Sequence, residues 1–356
     1  MPTIERLFVT ITERCNMRCP HCWVNAGIRN IDYKEITIEE IKEAIDLLIP
    51  YGLKAVKITG GEPFIRKNEV FEILDYCSKL DLHVTVESNL VLLDYNDIER
   101  LSKHHFLEIA ASLDYPEAQD FDSFRRSPGS YNLVIERLML LAKNHVVSSA
   151  MAVTKDNVHL MEAVANIVIS LGCSVRYLLC NDIGRGSTEM AGKILESEEI
   201  LDYYAEIHRI SHRYPKKVNT SSPLAFCDLS GNTLSGRCEA EKNISILSNG
   251  SIALCGIAFI NEDEILGNIR KDSLVEVIAT AFPLVTLRQI CDNKVSIQGV
   301  CSECLFMSVC APFCPALSME TYGTHFKSYP VCQRLYEAGV FPNEFLVNEV
   351  KHGLRE

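Results

Sequence analysis

Thr10-Ile-Thr-Glu-Arg-Cys-Asn-Met-Arg-Cys-Pro-His-Cys-Trp23 sets three cysteines, Cys15, Cys19 and Cys22, in one short loop. A strand-like run from Leu7 to Thr12 leads straight into them. The spacing Cys-x3-Cys-x2-Cys lets a single loop wrap three thiolates around one metal centre. No fourth cysteine stands close enough to complete a structural zinc site or a ferredoxin loop. Three protein ligands leave one coordination position open, and an open position is where a metal site does chemistry. The competing readings are a cysteine-rich loop without metal, or zinc.

The rest of the composition narrows the setting. The chain has 356 residues, room for a large α/β domain and a smaller one. Its formal net charge of −12, with no compensating basic stripe, argues against a nucleic-acid partner. Met1-Pro-Thr-Ile-Glu-Arg6 is not the start of a signal peptide, and no apolar stretch is long enough to span a membrane. The expected location is therefore the cytoplasm. Fifteen cysteines in such a chain read as reduced thiols, and clusters of them as metal ligands.

Outward from the loop, strand and helix patterns alternate. Strands are expected at Leu7–Thr12, Ala55–Thr59, His83–Glu87, Leu107–Leu113, Val147–Thr154 and Ser174–Leu179. Helical spacing fills Ile38–Ile49, Glu69–Leu80, Asn96–Lys103, Tyr131–Asn144 and Leu160–Leu171. Six β/α units predict an α/β fold, an open, partial (β/α)6 TIM-like barrel with its site at the C-terminal ends of the strands. A further helix is expected at Glu196–His212, closing a first domain over 1–214, with a linker over 215–237. From 238 to 356 the texture changes to a small cysteine-rich domain. Ile244–Leu254 there is a β-hairpin with Asn249-Gly250 at its turn, and a C-terminal helix broken near Pro342 begins at Gln333.

Cys15-x3-Cys19-x2-Cys22 after the first strand and Thr59-Gly-Gly-Glu-Pro63 after the second resemble the radical S-adenosylmethionine (radical SAM) superfamily. Ser88-Asn89 follows the third strand where the family has a Ser/Thr-Asn-Gly turn, although Leu90 replaces the glycine. Ser112-Leu-Asp114, Phe124-Arg125, Val153-Thr-Lys-Asp-Asn157 and Gly184-Arg-Gly186 continue the series. The resemblance implies three thiolates on a [4Fe–4S] cluster whose fourth iron binds S-adenosylmethionine. It places Gly60, Gly61, Glu62 and Pro63 at the methionyl ammonium, and Arg125 at the methionyl carboxylate, for which a guanidinium offers bidentate pairing. Ser88, Asn89, Ser112 and Asp114 fall near the ribose or methionyl end, and His21 against adenine. Taken singly, Gly60-Gly61 is also an ordinary βα turn, Asp114 a helix cap and His21 a solvated loop side chain.

The second domain has its own pattern. Cys238, Gly250 and Cys255 are followed by Cys301-x2-Cys304-x5-Cys310-x3-Cys314-x17-Cys332. This resembles the SPASM domain, which carries auxiliary iron–sulfur clusters. The resemblance assigns Cys301, Cys304, Cys310 and Cys332 to one auxiliary [4Fe–4S] cluster and Cys238, Cys255 and Cys314 to another, one ligand short. That site is open to substrate or solvent, or Cys227 or Cys291 fills it. A zinc ribbon is the physical alternative for Cys301 and Cys304. Cys77 and Cys173 read as buried small hydrophobes. Cys180, at the end of the sixth strand, has a second reading as a hydrogen-atom donor.

The chemistry implied is that of an oxidoreductase or peptide-modifying enzyme. A flavodoxin or ferredoxin donates an electron, S-adenosylmethionine is reductively cleaved, and the resulting 5′-deoxyadenosyl radical abstracts a hydrogen atom from substrate. The expected task is maturation of a ribosomally made peptide by cross-link, thioether or oxidation. The alternative is a small-molecule epimerase or dehydrogenase acting on a sugar, an aminocyclitol or a tetrapyrrole side chain. Sulfatase-maturing relatives carry Asp after the second SPASM cysteine. Gly256 stands there and counts against that activity. A non-catalytic electron-transfer protein is the reading from another class; it predicts clusters without S-adenosylmethionine cleavage.

Overall fold

Six strands and the helices between them follow the alternation. They are β1 (Arg6–Thr10), β2 (Ala55–Thr59), β3 (His83–Glu87), β4 (Leu107–Ser112), β5 (Val146–Val153) and β6 (Ser174–Leu179). Between and after them lie α1 (Ile38–Leu48), α2 (Lys67–Lys79), α3 (Tyr95–Leu101), α4 (Ala118–Arg125), α5 (Ser130–Leu141), α6 (Met161–Ser170), α7 (Gly186–Glu189) and α8 (Ser197–Arg213). The computed structural model describes residues 2–27, 31–227, 230, 233–235, 238–256, 261–292, 294–310 and 313–347.

Each neighbouring pair from β1 to β6 is parallel and in sequence order, as a right-handed βαβ series requires. The faces alternate. Val56 and Ile58, Val84 and Val86, Ile109 and Ala111, and Val175 and Tyr177 are buried beneath the helices. α1 shows how the helix sequence commits itself. Thr37 and Glu40 form a reciprocal capping box. Ile38, Ile41, Ala44, Ile45 and Leu48 then bury one stripe.

The chain forms two compact units that do not follow sequence order. The first is Met1–Ile194 with Lys242–Ile278, the second Leu195–Glu241 with Ala279–Glu356. In the second unit, β7 (Val218–Thr220) and β8 (Thr233–Ser235) pair in parallel within the stretch read as a linker. The predicted hairpin forms from β9 (Asn243–Ile246) and β10 (Ser251–Ala253), with β11 (Ile265–Asn268) beyond it. β10 is antiparallel to both neighbours, and Gly250 takes the turn at φ 84°. The hairpin belongs to the first unit. β9 lies parallel to β1, with Arg6 opposite Asn243 and Val9 opposite Ile246. The first unit's sheet thus runs β11-β10-β9-β1-β2-β3-β4-β5-β6. All four residues of β9 are buried, which explains why alternation alone does not reveal that it is sandwiched between two strands.

The remaining helices are α9 (Leu274–Thr280), α10 (Phe282–Cys291), α11 (Met307–Cys310), α12 (Pro315–Tyr322) and α13 (Pro330–Glu337). Among the described residues no single helix is long and apolar enough to cross a membrane.

Candidate functional site

All the motif loops leave the C-terminal ends of the strands. The cysteine loop after β1 is held by its backbone. Met17 N donates to Cys15 Sγ (3.4 Å) and Ala26 N to Cys22 Sγ (3.3 Å), while Cys22 N donates to Cys19 O (3.3 Å). Asn89 Nδ2 bridges Cys15 Sγ (3.9 Å) and Asn16 Oδ1 (2.8 Å). Burial pushes the Cys15 thiol up to about 12, and burial likewise raises Cys19. Metal binding reverses such shifts by replacing the proton.

Arg185, named only as part of Gly184-Arg-Gly186, is the strut of this loop. Its guanidinium donates to the Cys19 carbonyl (2.6 Å) and the Ala26 carbonyl, and its backbone N–H to Cys22 O (3.0 Å). Gly184 makes the approach possible. It has φ +57°, and a Cβ there would stand 2.2 Å from Trp23 O. Gly60 and Gly61 serve the same loop from the other side, since their Cβ atoms would meet Thr12 O at 2.5 Å and Arg14 O at 2.3 Å. Their smallness lets the β2 turn pack on the cysteine loop.

Pro63 opens a 3-10 turn, and Glu62 before it is 1% exposed. Its carboxylate accepts from Phe64 N (3.1 Å), Ser88 Oγ (2.8 Å) and Asn89 N (2.8 Å), yet no described cation pairs with it. Burial outweighs the three donors and lifts its pKa to about 7. Leu90, which replaces the family's glycine, still adopts φ +64° and buries its side chain completely. The turn therefore keeps the left-handed geometry and holds strain of about 1 kcal/mol.

Asp114 stands beside Arg125. It is fully buried, and its oxygens are taken by Arg125 Nε (2.6 Å) and Ala152 N (2.8 Å). Asp114 and Cys19 hold Arg125 above the ordinary guanidinium range against the pull of burial. Arg125 Nη1 lies 3.8 Å from Cys19 Sγ. Asn157, itself buried, ties β4 to β5 through Asp114 O (3.2 Å) and Ala152 O (3.0 Å). The α4 helix that delivers Arg125 was not legible, because its polar sequence carries only a weak apolar stripe.

His21 stacks on Phe124, centroids 4.7 Å apart and planes within 8°. Its Nδ1 has no partner among the described residues, and burial first, then Arg125, pull the imidazole down to about 3. Ser112 closes β4 on the barrel's interior side. Burial, reinforced by Asp114 and Asp182, pushes the Cys180 thiol up to about 12.

In the second unit Cys301, Cys304, Cys310 and Cys332 line one small cavity whose other walls are apolar, among them Phe306, Met307 and Phe341. Burial raises all four thiols. The Cys227 thiol donates to Ser222 O (3.1 Å). Cys314 caps α12 and Cys238 is exposed, both in the second unit, whereas Cys255 follows β10 in the first. Cys77 and Cys173 are buried in the first unit.

The residues fit an iron–sulfur cluster with a charged ligand. Among the described residues, no group of three or more His, Cys, Asp or Glu stands close enough to share one metal ion. A four-iron cluster does not require that closeness, because each thiolate takes its own iron. An unpaired, pre-aligned Glu62 suits an ammonium group, and the free ring nitrogen of His21 suits a polar heterocycle.

Residues 9–166 match the family model of the radical SAM superfamily, and residues 238–305 that of an iron–sulfur cluster-binding domain, SPASM. These domains imply S-adenosylmethionine and [4Fe–4S] clusters, with auxiliary clusters in the second. The AdoMet-dependent heme synthase of Methanosarcina barkeri is 25% identical over 92% of this chain and 95% of its own. The antilisterial bacteriocin subtilosin biosynthesis protein AlbA of Bacillus subtilis is 30% identical over 55% of this chain and 46% of its own. Streptococcus suis SuiB bound to S-adenosylmethionine shares the fold, with TM-score 0.72 at 17% identity over 93% of this chain and 78% of that one.

Proposed function

We propose that this chain, a radical SAM enzyme carrying a radical SAM domain and a SPASM domain, matures a ribosomally made peptide. Cys15, Cys19 and Cys22 hold the cluster. Glu62 receives the methionyl ammonium in the cradle of Gly60, Gly61 and Pro63, with Ser88 and Asn89 fixing its carboxylate. Arg125, oriented by Asp114, faces the methionyl carboxylate, with Ser112 nearby. His21 lies against adenine. When bound, the cluster and S-adenosylmethionine together supply one-electron cleavage and a hydrogen-abstracting radical. Cys301, Cys304, Cys310 and Cys332 hold one auxiliary cluster. The electron donor is a flavodoxin or ferredoxin, and the enzyme works in the cytoplasm, with the domain division at 214 and 238 marking its two cluster-bearing parts.

The observation that carries the radical SAM assignment of the site is Glu62, a buried carboxylate aligned by three donors with no protein cation to neutralise it. Glu62→Gln removes the charge and keeps the shape. It is expected to weaken S-adenosylmethionine binding by about tenfold or more, read by equilibrium binding to the anaerobically reconstituted protein. Unchanged affinity would remove Glu62 from the site.

The peptide half is supported by the 30% identity with AlbA. Co-expression with a short precursor peptide encoded beside the gene tests it, the expected product having lost hydrogen. A second reading, oxidation of a tetrapyrrole side chain, is favoured by the heme synthase relative, whose length this chain covers almost completely. Under that reading the peptide stays unmodified while a tetrapyrrole substrate is oxidised.

A further inference from the structure

The strand faces opposite the helices line the barrel's interior, and one part of that interior is charged. Lys57 alternates with the buried Val56 and Ile58 on β2, and Glu87 follows the buried Val86 on β3. On β6, Arg176 lies between the fully buried Val175 and Tyr177, whose hydroxyl donates to Met161 O (2.8 Å) at the start of α6. Arg176 therefore projects to the interior face.

These charges are not equally matched. Lys57 Nζ lies 2.5 Å from Glu87 Oε1 and 5.2 Å from the centre of the Phe8 ring. Thr59 Oγ1 donates to Glu87 Oε2 at 3.2 Å. Burial pushes Glu87 up, but Lys57, then Arg176 and Thr59, hold it below the ordinary carboxylate range. Both Glu87 oxygens are thus occupied without Arg176. Beyond the β5–β6 ladder, the Arg176 side chain forms no ion pair or hydrogen bond with another described residue, so its five N–H donors remain to be used.

The wall beside Arg176 is made of small residues. Ala150 is its register partner on β5, Ala152 lies one interior position higher, and Ala110 and Ser112 line β4. A closed barrel fills such positions with bulky branched chains. Here they are small and half-buried, so no bulky side chain on β4 or β5 stands at these interior positions. Glu87 directly precedes Ser88, which holds Glu62, so these charged residues lie on the interior side of the strands whose ends carry the site.

We propose that Arg176 binds a carboxylate of the substrate inside the barrel, with the Lys57–Glu87 pair as its positioning neighbours. The substrate is accordingly acidic: a peptide with an Asp or Glu side chain at the bound position, or a small molecule bearing carboxylates. That the bound group is substrate rests on the function proposed above; that Arg176 is an anion site does not.

The test uses anaerobically reconstituted holoenzyme and modification of arginines by phenylglyoxal, mapped by mass spectrometry. The probes are short peptides differing only by Glu or Gln, and coproporphyrin against its tetramethyl ester. Arg176 is expected to react in the free enzyme and to be protected by a free acid but not by the matching amide or ester. Protection by the Glu peptide identifies a peptide carboxylate, and protection by coproporphyrin a small-molecule one. Arg176→Gln is expected to weaken binding of the protecting acid by about tenfold or more. Arg176→Lys restores part of the loss, since it returns the charge without the fork. The proposal is overturned if Arg176 does not react in the free enzyme, if no acid protects it, or if Arg176→Gln binds the acid as the wild type does. Formation of 5′-deoxyadenosine by the wild type is scored separately. Its absence removes the radical SAM function and leaves the Arg176 result standing.

Discussion

Cys15, Cys19 and Cys22 share one loop that polar groups of the barrel brace from several directions. Arg185 holds its carbonyls, Asn89 reaches one sulfur and Arg125 another. Cys301, Cys304, Cys310 and Cys332 come from three separate short elements around an apolar cavity, where burial is the main influence on every thiol. The contrast is physical. A loop that must admit a charged ligand needs compensating charges and fixed carbonyls close by. A site enclosed by four thiols needs only apolar walls, which keep water away from the metal and its electrons.

The largest effects separate the two regions directly. Cys19→Ala is expected to abolish formation of 5′-deoxyadenosine and to lower iron by about four per chain, the content of one four-iron cluster. Cys310→Ala is expected to lower iron by a similar amount and to slow that first step far less. Iron analysis and chromatography of the products check both. If the two variants lose the first step equally, the division of labour between the regions is wrong.

A smaller effect tests how the first loop is braced. A Cβ at position 61 would stand 2.3 Å from Arg14 O, a backbone atom that cannot swing away. Gly61→Ala should therefore destabilise the protein by about 1–3 kcal/mol and displace the loop. Thermal unfolding reads the first consequence, and weaker S-adenosylmethionine binding the second. A variant as stable as the wild type would mean that the turn is not pinned against the cysteine loop.

Much of this contrast could be read from sequence, for reasons that differ by element. β2, β3 and β6 lie where alternation places them, because one face is buried and the other is not. The cysteine loop was legible because its three cysteines, Cys15, Cys19 and Cys22, sit in one short stretch of chain. Arg185 was not, since a strut that works through carbonyl oxygens leaves no mark on the residues it holds. Asp114 shows the same limit: Arg125 and Ala152 N take its oxygens, partners that its place after β4 does not announce. The hairpin was recognised from Asn249-Gly250, but its pairing with β1 depends on a partner more than 230 residues earlier (Asn243 opposite Arg6), which no local pattern encodes.

That long-range pairing supplies the smallest effect. Arg270, after β11, forks onto Glu40 of α1 through Nε (2.6 Å) and Nη2 (3.0 Å), and also reaches the carbonyls of Lys34, Glu35 and Asn249. It fastens the hairpin region to a helix from the start of the chain. Arg270→Ala is expected to cost about 1–2 kcal/mol, reduced from a buried pair by partial exposure. Hydrogen bonding from Arg270 is the first cause drawing Glu40 down to about 2, against an ordinary value of 4.5. A carboxylate with a depressed folded pKa contributes its full stability above the ordinary value and loses it as the pH falls through the depressed one. The stability gap between wild type and Arg270→Ala should thus be constant above about pH 5 and narrow steadily toward pH 2. Denaturant unfolding across that range measures it. A gap that stays constant down to pH 2 would assign the loss to the carbonyl contacts alone and remove Glu40 from the fastening.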